Sequence, residues 1–457
     1  MNKLVLICAP VTSRSGYGAH ARDLVTSLLD HEKYEIKIMD VPWGNCPRNA
    51  LDSDTPNDKR ILDCILTNQQ LPRQPEIYID IRIPNEFQQL GKYNIGITAG
   101  VETNAVSQAW IEGCNKMDLI IVPSEHSKSG FVQTVWDKLN QGPDGKQQKV
   151  GELRLEKPIE VLFEGADEDI YKPLDSKQID SEFFDWLNTE VPEKFAYLMV
   201  GQWGQGGYGE DRKDIGKTVK IFYEAFANKK KQPALILKTA GAGYSILDRE
   251  ECKNKINLVK DMFPKDWKLP NVYLLHGDLT DIEMNYLYNH PKVKSLVSFT
   301  HGEGFGRPLL EATMTGLHVI ASGWSGQCDF LDVDTSLLLE GKVEPVPKSV
   351  HWKDIIIPQS KWFNIDESNA YRAFNYTFEE QELCKRNGKA QMNTNRSKFT
   401  LKNMTDKFGE IMDKYTANVS TQVGLQLPKL KKVGNEPKKP AITLPKLKKK
   451  TEEKVGA

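Results

Sequence analysis

The sequence predicts an α/β protein with two domains, each a parallel sheet wrapped by helices, and a basic tail behind them. Three observations predict this. Short, wholly apolar runs recur, and glycine-rich loops and helix-compatible stretches follow them, as strand–helix–strand units with a parallel sheet require. Such units occur in both halves, and 457 residues exceed one typical domain. From Ala417 onward there are ten Lys against three Glu and few aromatics, a change of composition from the body.

The formal net charge is −1; subtracting the +7 of the tail leaves the body at about −8. The seven cysteines are scattered singly, which argues for a reducing compartment and against a disulfide scaffold or a zinc site. The apolar start, Leu4 to Ala9, leads into a glycine loop rather than a cleavage site, so it reads as a first strand and not a signal peptide. No apolar run approaches the ~20 residues of a membrane-spanning helix. The expectation is a soluble, cytoplasmic protein with no transmembrane segment.

In the first half, strand Leu4 to Ala9 feeds a loop with Gly16 and Gly18, where the backbone can approach a ligand closely. The plain alternative is an ordinary tight turn. A helix follows, with Ala21, Leu24, Val25, Leu28 and Leu29 on one face. Further strands are expected at Tyr34 to Val41, Ile77 to Ile83 and Tyr93 to Ala99, with a short helix near Lys59 to Thr67. Glu102 follows the last of these strands, at the carboxyl edge where ligands bind in such sheets; it equally suits a helix entry. Ser124 or Ser127 caps the helix after Met117 to Pro123. Lys138 to Lys157 reads as loop or a small insertion, and 170 to 194 as a hinge.

The second half opens with strand Phe195 to Gly201, a glycine-rich loop from Gln202 to Asp211, then Arg212, Lys213 and a helix to Phe226. Cations at a helix N-terminus are unfavourable unless an anion sits there, which makes Arg212 and Lys213 binding candidates. Lys238 ends the strand Leu235 to Thr239, where it can reach a cleft. Strand Val293 to Phe299 leads to His301-Gly302-Glu303-Gly304-Phe305-Gly306-Arg307-Pro308, a helix to Met314, and strand Leu317 to Ser322. That loop aims free helix N-terminal N–H groups at an anion above the strand end. Glu303 and Glu311 flank it, eight positions apart. Residues 340 to 365 read as irregular and Phe378 to Tyr415 as helices.

Positions 303 to 312 fit Glu-Gly-Phe-Gly-x-Pro-Leu-Leu-Glu-Ala, and here the chain resembles the retaining, two-domain nucleotide-sugar glycosyltransferases often called family 4. The likeness spans nearly all of 1 to 415 and is densest from 195 to 335. It implies a GT-B architecture: two facing Rossmann-like domains, 1–170 on the acceptor side and 195–394 on the donor side, a linker at 171–194, and a helix at 395–416 crossing back. It implies sugar transfer from a nucleotide-diphosphate sugar with retention of configuration. By the same resemblance Glu303 lies near the sugar, Glu311 accepts from ribose hydroxyls, and Gly304, Phe305, Gly306 and Leu309 surround the donor. Glu102 stands where many members have a His. Where the family often places an Arg on the donor phosphates, this chain has Gln202, and Arg212 or Lys213 takes over that charge. N–H dipoles and cations can stabilise a diphosphate leaving group, so no metal or other cofactor is expected.

The acceptor class stays open: a glycan, a lipid or a modified nucleic acid. The tail repeats Leu427-Pro428-Lys429-Leu430-Lys431-Lys432 as Leu444-Pro445-Lys446-Leu447-Lys448-Lys449. Its composition predicts disorder, and it serves either solubility or the docking of a polyanion or partner protein. A nucleotide-sugar epimerase of similar fold, a transferase acting on modified DNA bases, and a non-catalytic nucleic-acid-binding protein are the rival readings; the acidic body, without an evident basic aromatic groove, speaks against the last.

Overall fold

A computed structural model describes residues 2–68, 71, 73–141, 147–241 and 243–421. Residues 422–457, which carry the Lys-rich repeat, lie outside the described residues.

In the first half the elements run β1 (Lys3–Ala9), α1 (Gly16–Asp30), β2 (Tyr34–Asp40), α2 (Pro56–Leu62), β3 (Ile77–Ile81), β4 (Tyr93–Ile97), α3 (Gln108–Lys116), β5 (Leu119–Val122), α4 (Glu125–Gln133), β6 (Trp136–Gln141), β7 (Gln147–Leu153) and β8 (Ile159–Val161). The second half has α5 (Ser181–Glu190), β9 (Ala196–Val200), α6 (Ile215–Phe226), β10 (Ala234–Lys238), α7 (Ile246–Lys260), β11 (Val272–Leu275), α8 (Asp281–Asn289), β12 (Val293–Ser298), α9 (Arg307–Met314), β13 (His318–Ser322), β14 (Leu337–Leu339), β15 (Gly341–Pro345), β16 (Lys361–Ile365), α10 (Glu367–Glu379), α11 (Gln381–Lys398) and α12 (Leu401–Thr416).

Two six-stranded sheets result, ordered β2-β1-β3-β4-β5-β8 and β11-β10-β9-β12-β13-β14. Every pairing within them is parallel. Parallel strands are covered on both faces, so they read as continuous apolar runs. In β1, Val5, Ile7 and Ala9 join one core while Leu6 and Cys8 join the core on the opposite face. In β9, Tyr197 and Met199 face one way and Ala196 and Leu198 the other. The last helix returns to the first sheet. Met404, Phe408, Ile411 and Met412 of α12 share a core with Ala21, Leu24 and Leu28 of α1.

Three expectations need correction. The stretch 138–157, read as loop or a small insertion, contains an antiparallel strand pair, β6 with β7, which fits the insertion and not the loop. Its described residues are largely exposed, so no buried face prints an alternating pattern. The region 340–365 likewise holds the antiparallel pair β15–β16. The helix after the second glycine-rich loop begins at Ile215, behind Asp214 in a left-handed conformation (φ 50°), so Arg212 and Lys213 precede the helix and do not start it. Among the described residues no helix is long and apolar enough to cross a membrane.

Candidate functional site

The loop between β12 and α9 lies where the two sheets' loops meet. Gly306 takes φ +106°, a left-handed turn suited to glycine, and Pro308 occupies the first turn of the helix it opens. The other glycines of the loop have a different reason. A Cβ on Gly302 would stand 2.0 Å from the Glu102 carbonyl oxygen, and one on Gly304 2.0 Å from that of Ala99. Both carbonyls belong to the segment after β4, so the two halves meet backbone to backbone. Ser124, the cap of α4, donates its hydroxyl to the Gly304 carbonyl at 2.6 Å. No described group accepts from the N–H of Gly304, Phe305 or Gly306.

Glu303 is buried at one end of this loop. Lys213 pairs with its Oε1, and Arg212 Nη1 donates to its Oε2 at 3.2 Å. Its own N–H donates to Ser325 Oγ at 2.9 Å, which fixes the carboxylate's root. Burial pushes the Glu303 carboxyl up, but the charges of Lys213 and Arg212 outweigh it and hold the group below its ordinary value. Lys213 is pulled down by burial, with Glu303 opposing. Glu102 stands across the cleft, its carboxylate 3.7 Å from Arg212 Nε. Its charge acts on both cations that hold Glu303, Arg212 and Lys213.

Glu311, one turn into α9, sits in a different field. Arg307 Nε donates to its Oε1 at 3.0 Å, and Arg307 Nη1 donates to Asp23 Oδ2 of α1 at 2.6 Å. Burial pushes Glu311 up to about 7; Arg307 opposes and Asp281 adds to the rise. Glu164, also buried, is pushed to about 7 by burial, against Arg307 and with Asp23 and Glu303.

The other predicted residues fall as follows. Gly16 and Gly18 lie in the first turn of α1, capped by Ser15, whose Oγ accepts from Gly18 N. Gly18 is demanded by the Ser13 carbonyl, 2.1 Å from a would-be Cβ, while Gly16 faces open space. Lys238 ends β10 and donates to the Gly277 carbonyl at 2.6 Å, beside Asp278, which pairs with Arg14 at 2.5 Å. The Phe305 side chain is 2% exposed and packs on Phe330 at a 5.0 Å centroid separation, which leaves its backbone N–H as the group that can face a ligand. Leu309 is also core, but with Lys213, Ser298, Glu303 and Gly306 it lines a small cavity beneath the loop. Sequence reasoning missed Asp23, Glu164 and Arg307. A cation in the first turn of α9 was a legible signal for Arg307, by the argument applied to Arg212.

No family model matches the chain, and no curated protein matches it. Solved structures do. Sucrose-phosphate synthase from Thermosynechococcus elongatus aligns over 91% of this chain and 100% of its own, at 14% identity and a TM-score of 0.60. HepE from Anabaena, solved with UDP and glucose, aligns over 90% and 100%, at 12% identity and a TM-score of 0.55. A UDP-forming α,α-trehalose-phosphate synthase from Burkholderia xenovorans, solved with glucose-6-phosphate, aligns over 90% and 100%, at 11% identity and 0.54. The likeness establishes the fold: this is a GT-B architecture, two Rossmann-like units facing each other across the loop just described.

Proposed function

We propose that the chain is a glycosyltransferase that moves a sugar from a nucleoside-diphosphate sugar to an acceptor, with retention of configuration. The observation that carries this reading is the convergence of Lys213, Arg212 and Glu303 beside the unpaired amides at the entrance to α9, in the seam between the two sheets. As the bond from the sugar's anomeric carbon to the diphosphate breaks, negative charge grows on the departing oxygen. Fixed amide dipoles and two cations already in place favour that charge without reorganising. Glu303 orients both cations and lies toward the sugar. Glu311 accepts from the ribose hydroxyls, and Lys238 adds charge at the far edge of the donor site. Glu102 faces the acceptor side, where it steadies Arg212 and the incoming hydroxyl. The GT-B fold, shared with HepE in its UDP and glucose complex, supports the donor class.

Because residues supply the stabilising charge, the transfer we assign needs no divalent metal or other cofactor. The acceptor is a glycan, a lipid or a modified nucleic acid, and its encounter with an anionic form is assigned to the Lys-rich tail.

Mass spectrometry of products from a panel of nucleotide sugars, offered with glycan, lipid and modified-DNA acceptors, tests the reading. A sugar mass added to one acceptor class, with nucleoside diphosphate released and the product's anomeric configuration unchanged by NMR, is expected. An isomerised free nucleotide sugar with no transfer contradicts it. Activity lost in EDTA and restored by Mg²⁺ or Mn²⁺ contradicts the role given to the cations.

A further inference from the structure

The proposed function gives Arg307 no task, yet the residue is placed against an electrostatic cost. It is the first residue of α9, where the positive end of the helix dipole penalises a cation. Carboxylates on both sides of the seam offset the penalty. One edge of the guanidinium holds Glu311 on its own helix at 3.0 Å, and another holds Asp23 of α1, on the opposite half, at 2.6 Å. The Arg307, Asp23 and Glu311 side chains are only 18%, 19% and 10% exposed, so solvent screens these pairs weakly. A planar fork that serves two carboxylates at once is a property of Arg and not of Lys. Next to it, His20 of α1 is buried with Nδ1 unpartnered, and burial together with the Arg307 charge keeps it neutral.

We propose that Arg307 is a positioning residue that ties nucleotide recognition to the meeting of the two halves: it orients Glu311 for the ribose and, through Asp23, holds α1 onto the same site. This rests on the assignment of Glu311 to the ribose made above. The titratable groups that face Glu311 come from three helices and one connecting segment: Arg307 from α9, Asp281 and the neutral Tyr288 from α8, Asp23 from α1, and the neutral Tyr171 ahead of α5. Of the charged groups, Arg307 favours the ionised form while Asp281 and Asp23 oppose it. Removing it raises the pH at which Glu311 loses its proton. Removing Asp23 takes away a rival carboxylate and lowers that pH. The two changes therefore move one titration in opposite directions, which loss of packing alone does not do.

The test is calorimetric titration of UDP, GDP and ADP into the full chain between about pH 5.5 and about pH 9. Wild type is expected to bind one of them with an affinity that falls as pH drops through about 7. In Arg307→Ala the midpoint moves up by about one pH unit or more, so affinity at neutral pH falls by about fivefold or more and recovers at the alkaline end. In Asp23→Asn the midpoint moves down. Arg307→Lys, which keeps the charge without the fork, returns the midpoint part of the way. Should Arg307→Ala fail to fold, the Asp23→Asn and Arg307→Lys shifts decide the matter. Binding whose pH profile ignores these substitutions, or a loss equal at every pH, overturns the positioning role while leaving the ribose assignment standing. If wild type binds none of the three nucleotides, both fall.

Discussion

Around Glu303 two cations converge on one buried carboxylate; around Arg307 one cation serves Asp23 and Glu311, with Glu164 nearby. The two glutamates stand eight positions apart, and both are buried to the same degree, at 7% exposure. Burial alone would raise both carboxyls. Lys213 and Arg212 reverse the effect at Glu303, whereas Arg307, divided among several partners, only reduces it at Glu311. The lesson is that the ratio of cations to carboxylates, and not burial, separates the two ends of the motif. One glutamate stays ionised throughout the physiological range, and the other titrates near neutrality.

The largest effect that can break this comparison is expected at Glu303. Glu303→Gln keeps the shape but removes the charge that organises Lys213 and Arg212. Turnover should fall on the order of 10²-fold, with nucleotide affinity changing much less, as for an interaction realised in the transition state. Equal losses in both would demote Glu303 to a binding residue. Next in size is Glu311→Ala, which removes charged hydrogen bonds worth about 1.5–3 kcal/mol. Nucleotide affinity should drop by about tenfold to a hundredfold with the circular dichroism spectrum unchanged, and unaltered calorimetric affinity would refute the ribose contact.

A smaller effect sharpens the acidic side of the comparison. Burial lifts Glu164 from its ordinary 4.5 to about 7, only partly opposed by Arg307. Between those values the folded chain holds more protons than the unfolded one, so stability from this group falls as pH rises through the window and stays reduced above it. Glu164→Gln should therefore stabilise the protein at about pH 8 by on the order of 2 kcal/mol, and by little at about pH 4.5. Urea titrations at the two pH values measure it, and an equal change at both would show that charge is not the cause.

Much of the fold is written in the sequence because parallel strands carry their burial as unbroken apolar runs. β1, β9, β10, β12 and β13 were all recognisable this way. The β6–β7 hairpin was not, since strands exposed on both faces leave no such run. Within the site, the local geometry of Gly306, Pro308 and the two glutamates was legible, as it depends on neighbours in the chain. What escaped depends on distant partners. Arg307 meets Asp23 across 284 positions, and Gly302 and Gly304 are glycines because carbonyls from the other half press on them. Glu102 is legible as following a strand, β4, but its partner Arg212 is known only from the meeting of the two halves.

The smallest effects are expected from the tail. Deleting 422–457 leaves the Lys3 bond to the Thr416 carbonyl at 2.6 Å in place. Thermal stability and transfer to a small neutral acceptor should be unchanged. Transfer to a large anionic acceptor should fall several-fold at low salt and converge with the full chain at physiological salt, where screening acts over ~8 Å. Equal rates on every acceptor at low salt would leave the tail only a solubilising role.

The division of labour between the two glutamates is tested most directly by nucleotide affinity measured against pH in wild type, Glu311→Gln and Glu303→Gln. The account predicts a midpoint near 7 in wild type, its disappearance in Glu311→Gln, and its survival in Glu303→Gln. A midpoint that persists in Glu311→Gln, or one that vanishes in Glu303→Gln, would contradict it.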